Sequence, residues 1–153
     1  MRNVLAGAAA GVAATVPMTM VMETLHQRLD GEVPRPLPPR EIAEGLAVKW
    51  GVHGDLSERD MQNLTLALHV GYAALTGAVF STMAPRKTGI GAAAGALFGL
   101  GVWATSYLGW LPLSGVRQPV TYDPVARTRL MIASHLAWGA AAGVIFAAIA
   151  SRK

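Results

Sequence analysis

Glu23, His26, His69 and His135 can hold a proton or a metal within an otherwise apolar chain. Glu23 and His26 form Glu-x-x-His, the i, i+3 spacing used by carboxylate-bridged metal sites in helical bundles. His69 and His135 sit early in two matching stretches, "ALHVGYAALTGAVFSTMAPRK" (67–87) and "ASHLAWGAAAGVIFAAIASRK" (133–153). Two matched imidazoles on two helices are the donor set of a bis-histidine haem. Imidazole also titrates near neutral pH, so the same residues could share a proton with Glu23 and respond to pH or ions. A third reading is structural, with Glu23 paired to a histidine or to a loop arginine such as Arg127. Met18, Met20, Met22 and Met61 add soft sulfur atoms, although methionine in an apolar helix usually packs. Only one Glu-x-x-His occurs and there is no cysteine, so a di-iron centre and thiolate-bound metals are not expected.

Such residues act only if helices hold them in place. The chain has 153 residues, 52% hydrophobic and 14% charged. Soluble domains carry about a quarter charged residues. The apolar residues gather into four stretches that can each cross a hydrocarbon core roughly 30 Å thick as a helix. These spans cover about 4–25, 64–84, 89–111 and 130–150, with outer loops 27–63 and 112–129. The expected fold is an all-α four-transmembrane-helix bundle, a single integral membrane domain over 1–153. The first stretch is read as a retained span, because its apolar run is long for a cleaved leader.

The second and fourth spans align at an offset of 66, pairing His69 with His135, Gly77 with Gly143 and Phe80 with Phe146. The first and third share "GAAAG", at 7–11 and 91–95. The expected unit is helix, outer loop, helix, used twice. Such parallel repeats are related by a pseudo-twofold along the membrane normal. Small residues mark helix contacts in lipid. Gly7, Gly11, Gly77, Gly91, Gly95, Gly99, Gly139 and Gly143 are therefore the expected packing positions. The two histidines share the small-residue faces and should point into the bundle.

Local signals set the ends. "LSERD" offers Ser57 as an N-cap with an acid three residues on. Pro17 should kink the first span. Asp123-Pro124 reads as N-cap then N1 of the last helix. "REIAEGLAVKWG" is helical, either on the membrane surface or packed on the loop. Tyr72, Trp103, Tyr107, Trp110 and Trp138 read mostly as an interfacial aromatic belt.

The formal charge of +4 comes largely from short basic flanks, so nucleic acid is not an expected partner. The pairs Arg86-Lys87 and Arg152-Lys153 place both termini in the cytoplasm. The expected partners are the lipid bilayer and either further copies of the chain or other membrane proteins. No phosphate loop or hydrolase triad is present, and the chain is not expected to be an enzyme.

Four features resemble the YagU-like bacterial inner-membrane proteins. They are the Gly/Ala-rich opening helix ending in an acid before "LPPRE", then "LALHVGYAALTGAVFSTMAP", "GIGAAAGALFGLGVWATSYLGWLPLSG" and "SHLAWG". The resemblance covers most of the chain except 41–60. It implies a bacterial inner-membrane location and an association with acid tolerance. Its histidine positions match His69 and His135, and its acid matches Glu23.

Overall fold

The computed structural model describes residues 1–28, 36–85 and 87–151. The loop residues 29–35 and the basic ends Arg86, Arg152 and Lys153 lie outside the described residues. Every regular element among those described is helical. Helix α1 (Arg2–Ala13) continues into α2 (Thr15–Gln27). Helix α3 (Pro38–Lys49) precedes the long α4 (Glu58–Met83). Helix α5 (Thr88–Ala104) runs into a π-helical segment (Thr105–Trp110) and the short α6 (Leu111–Leu113). Helix α7 (Val125–Ala150) closes the chain.

Four helices are long and apolar enough to cross a membrane: Arg2–Gln27, Glu58–Met83, Gly89–Leu113 and Val125–Ala150. We call them spans one to four. Only 22% to 39% of each span's most apolar window is buried against protein. Leu5, Leu66, Leu75, Leu97 and Ile149 face outward. Apolar surface of this extent is unusual in water and ordinary against lipid.

The helix ends follow from local chemistry. Ser57 caps α4 with a complete capping box, its Oγ accepting from the Asp60 N–H at 3.2 Å and its N–H donating to Asp60 Oδ2 at 3.1 Å. Pro85 follows the last turn and stops the helix. Gly51 and Gly115 take positive φ, 74° and 68°, after α3 and α6. Each closes a Schellman motif, with Val52 N–H on the Ala47 carbonyl and Val116 N–H on the Leu111 carbonyl. One expected cap is corrected. The N-cap of α7 is Pro124, not Asp123, and α7 begins at Val125. The Asp123 carboxylate is engaged instead by Arg117, at 2.7 and 2.8 Å.

Glycine sets the closest helix contacts. A Cβ built on Gly7 would collide with the Gly77 carbonyl oxygen and Ser81, and one on Gly11 with the Ala73 carbonyl oxygen. In spans three and four, Gly91 faces the Gly143 carbonyl and Ala147, Gly95 faces the Gly139 carbonyl, and Gly99 faces the His135 carbonyl. Removing Cβ lets the backbones approach closely, which drives helix association where no hydrophobic effect operates.

Span one bends where α1 gives way to α2. Pro17 has no N–H for the Ala13 carbonyl. The Val12 carbonyl takes the Thr15 hydroxyl at 2.7 Å, and the Gly11 carbonyl takes the Trp138 indole N–H at 2.9 Å. Below the bend α1 packs on α4; beyond it α2 packs on α7. Helix α3 meets the expectation of a helix over its segment. It packs on protein, with Ala43 and Ala47 against Met61 of α4 and Gly45 against the Val116 carbonyl.

Candidate functional site: a histidine-lined cavity

Where α2 leaves α4, the bundle does not close. A cavity of about 160 Å³ lies there, roofed by Pro38, Pro39, Ile42 and Leu46 of α3. His69 of α4 and His135 of α7 both line it. The expected inward direction of both histidines is thus met. Met18 and Met22 fill the α2 side, as packing residues.

The rest of the expected polar cluster is elsewhere. Glu23 is exposed and is not in the cavity wall. His26 is half-buried and also outside the wall. Met22, next to Glu23 in sequence, lines the wall, so Glu23 is kept out by the helix face it occupies; His26 lies one turn further along α2. Among the described residues no group of three His, Asp or Glu could hold a metal. A haem needs more room than a drug-sized ligand, whose sites start at roughly 300 Å³, so it does not fit here.

The two imidazoles differ in their bonding. His135 is buried, and its Nδ1 lies 2.8 Å from the Met131 carbonyl. A carbonyl only accepts, so Nδ1 carries the hydrogen and Nε2 of the neutral ring is left as an acceptor. The Tyr107 ring meets His135 edge-on at 5.8 Å. His69 Nε2 is buried with no hydrogen-bond partner. Several other polar groups of the wall are bonded to protein. Tyr72 and Ser106 share a hydrogen bond of 2.9 Å, and the Ser134 hydroxyl donates to the Leu130 carbonyl at 2.8 Å.

Two expectations about the aromatic residues are corrected. Tyr107 and Trp138, placed in an interfacial belt by sequence, are 4% and 3% exposed and line the cavity. Tyr107 is delivered by the π-helical segment, inside which Gly109 leaves helical geometry (φ −113°, ψ −107°). Such π segments are frequent at functional sites, because they re-aim side chains out of the helical register.

An ionic clasp that no local motif announces holds the roof. Glu41 of α3 accepts from Arg117 at 3.0 Å and from Arg127 at 2.9 Å. The expected pairing of Glu23 with a loop arginine such as Arg127 is corrected: Arg127 donates to Glu41 and to the Pro36 carbonyl. Arg117 also lies over the Tyr107 ring, 5.2 Å from its centre. Burial disfavours the Arg117 charge, but Asp123 and Glu41 outweigh it and hold the guanidinium above its ordinary pKa. Arg40 binds Glu58 and Glu44 nearer the surface, and these carboxylates raise its pKa. Together the two sets tie α3 to both α4 and the loop before α7.

No protein-family model, curated protein or solved structure matches the chain. The function is therefore read from the cavity itself.

Proposed function

We propose that this is a small multi-pass membrane protein that binds a small uncharged molecule from the bilayer in the cavity between His69 and His135. We read it as a binding protein and not an enzyme. The observation that carries this is the pairing of a roofed, aromatic-lined cavity with one buried imidazole nitrogen that has no partner. Apolar cavities with a few convergent polar groups are the usual form of small-molecule sites. Proton or ion handling is less favoured, because Glu23 lies off the wall and no other carboxylate among the described residues lines it.

The two-repeat reading explains why the cavity exists. The contact of Gly7 with Gly77 and Ser81 corresponds, at the offsets of 84 and 66, to that of Gly91 with Gly143 and Ala147. Gly11 against Ala73 corresponds to Gly95 against Gly139. The next pair breaks the match. Gly99 lies on the His135 carbonyl, whereas its counterpart is Thr15. A threonine cannot approach the His69 backbone as glycine does, and its hydroxyl bends the helix by bonding to Val12. One half seals over its histidine and the other opens beside its own. The resemblance to the YagU-like proteins adds a bacterial inner membrane, and the basic flanks of the spans place both termini in the cytoplasm.

The test is ligand-induced stabilisation. Toluene at about a hundred times its Kd should stabilise the detergent-solubilised protein by roughly 2.7 kcal/mol. That is a rise in Tm of roughly 5–10 °C. Val102→Phe fills the cavity from span three and should remove the rise. No rise in the unsubstituted protein, or an equal rise in Val102→Phe, would reject the site.

A further inference from the structure

We propose that the ligand is a hydroxylated aromatic ring, a phenol or a quinol, with its hydroxyl on His69 Nε2. This rests on the binding-site reading above and names the class of molecule. Four observations point to it together.

The volume of about 160 Å³ is that of a single ring. An engineered apolar cavity of roughly 150 Å³ binds benzene. The wall is built for ring faces and edges, with Tyr72, Tyr107, Trp110 and Trp138 around it. No Asp, Glu, Lys or Arg lines it among the described residues. A charged ligand would therefore be buried without a counter-charge, at high cost.

The fourth observation is the imidazole. Three buried side-chain polar atoms lack a partner among the described residues: His69 Nε2, Trp103 Nε1 and Arg127 Nε. Of these residues only His69 lines the cavity, and because its Nε2 is itself covered, the imidazole must turn about χ2 to present it to a ligand. Nε2 is a donor in one tautomer and an acceptor in the other. A hydroxyl serves both, whereas a carbonyl or ether oxygen serves one. The neutral His135 ring offers a second acceptor on the α7 side, since its Nδ1 is committed to Met131.

The entrance also fits. Tyr72 and Trp110 line the cavity and are still 36% and 39% exposed, with their rings 6.2 Å apart. They mark a rim between spans two and three, on a surface that faces lipid. A ring enters there from the bilayer, and a tail on that ring lies along the same rim. A membrane quinol and a free phenol share the recognised group.

The full chain in lipid nanodiscs should be titrated with phenol, toluene and a short-tailed alkyl hydroquinone, following tryptophan fluorescence and correcting for partition into empty nanodiscs. Phenol should bind roughly tenfold to a hundredfold tighter than toluene, the effect of satisfying one buried polar group. His69→Leu should bring phenol to the toluene affinity, with far-UV circular dichroism showing that the variant is folded. The phenol-to-toluene ratio in the unsubstituted protein stands independently of any variant. Tighter binding of the hydroquinone than of phenol assigns the ligand to the membrane; equal binding assigns it to a free phenol. Equal affinities for phenol and toluene would overturn the hydroxyl ligand and leave the site standing. No ring binding at all would overturn both.

Discussion

Arg117→Ala is expected to lower stability by about 3–5 kcal/mol, the usual effect of breaking a buried ion pair from one side. The guanidinium is 2% exposed and Asp123 is 4% exposed, so the substitution removes a two-pronged partner from a buried carboxylate. It also removes one of the two arginines on Glu41 and the cation over Tyr107. The roof helix α3 is then held mainly by Arg127 and its apolar contacts. Arg40→Ala should have a small effect by comparison, because Arg40 pairs near the surface with an exposed Glu58. Thermal unfolding in mild detergent compares the two. Similar losses would mean that the buried clasp is not what fixes α3.

Gly95→Leu is expected to prevent assembly of spans three and four. A Cβ alone at Gly95 meets the Gly139 carbonyl oxygen, and a helix backbone cannot swing aside as a side chain can. Even Gly95→Ala should cost about 3 kcal/mol, the upper part of the range for overpacking. Gly101 lies on the same helix with nothing within 4 Å of its Cβ position. Gly101→Ala should therefore be neutral, or slightly stabilising through better helix propensity. The readout is the yield of monodisperse protein and its Tm. Equal behaviour of Gly95→Ala and Gly101→Ala would reject the close contact.

Much of this architecture was readable from residue order. Uncharged runs gave the four spans, because only long apolar helices suit a bilayer. Ser57 and Asp60 placed the start of α4, since a capping box is a local interaction. The shared "GAAAG" and the matched glycines named the packing faces, and the histidines on those faces do point inward. What was missed is what depends on distance in sequence. Glu41 finds Arg117 and Arg127 across 76 and 86 positions, and a charge in a loop has no periodicity to announce its partner. Asp123 was taken for a cap because nothing local revealed the competing arginine. Tyr107 reads as a belt residue because helical spacing cannot anticipate a π-helical turn, and Trp138 because the aromatic type alone does not say which face of the regular helix α7 it takes. The Thr15 and Gly99 mismatch was visible in the alignment. Its consequence became readable only once Gly99 was seen against the His135 carbonyl.

The site was half legible. His69 and His135 both line the cavity, whereas Glu23 and His26, expected beside them from depth alone, do not. Met18 and Met22 bring the inner face of α2 to the wall and Glu23 sits on its outer face, and depth along a helix does not say which face a side chain takes.

The most direct measurement is the imidazole ¹⁵N spectrum of histidine-labelled protein in nanodiscs, titrated with phenol. The account predicts a saturable shift of the His69 resonances, with exposed His53 unmoved and half-buried His26 unmoved. A His69 signal that stays fixed, or one that drifts in parallel with His53, would contradict the claim that this cavity is a binding site.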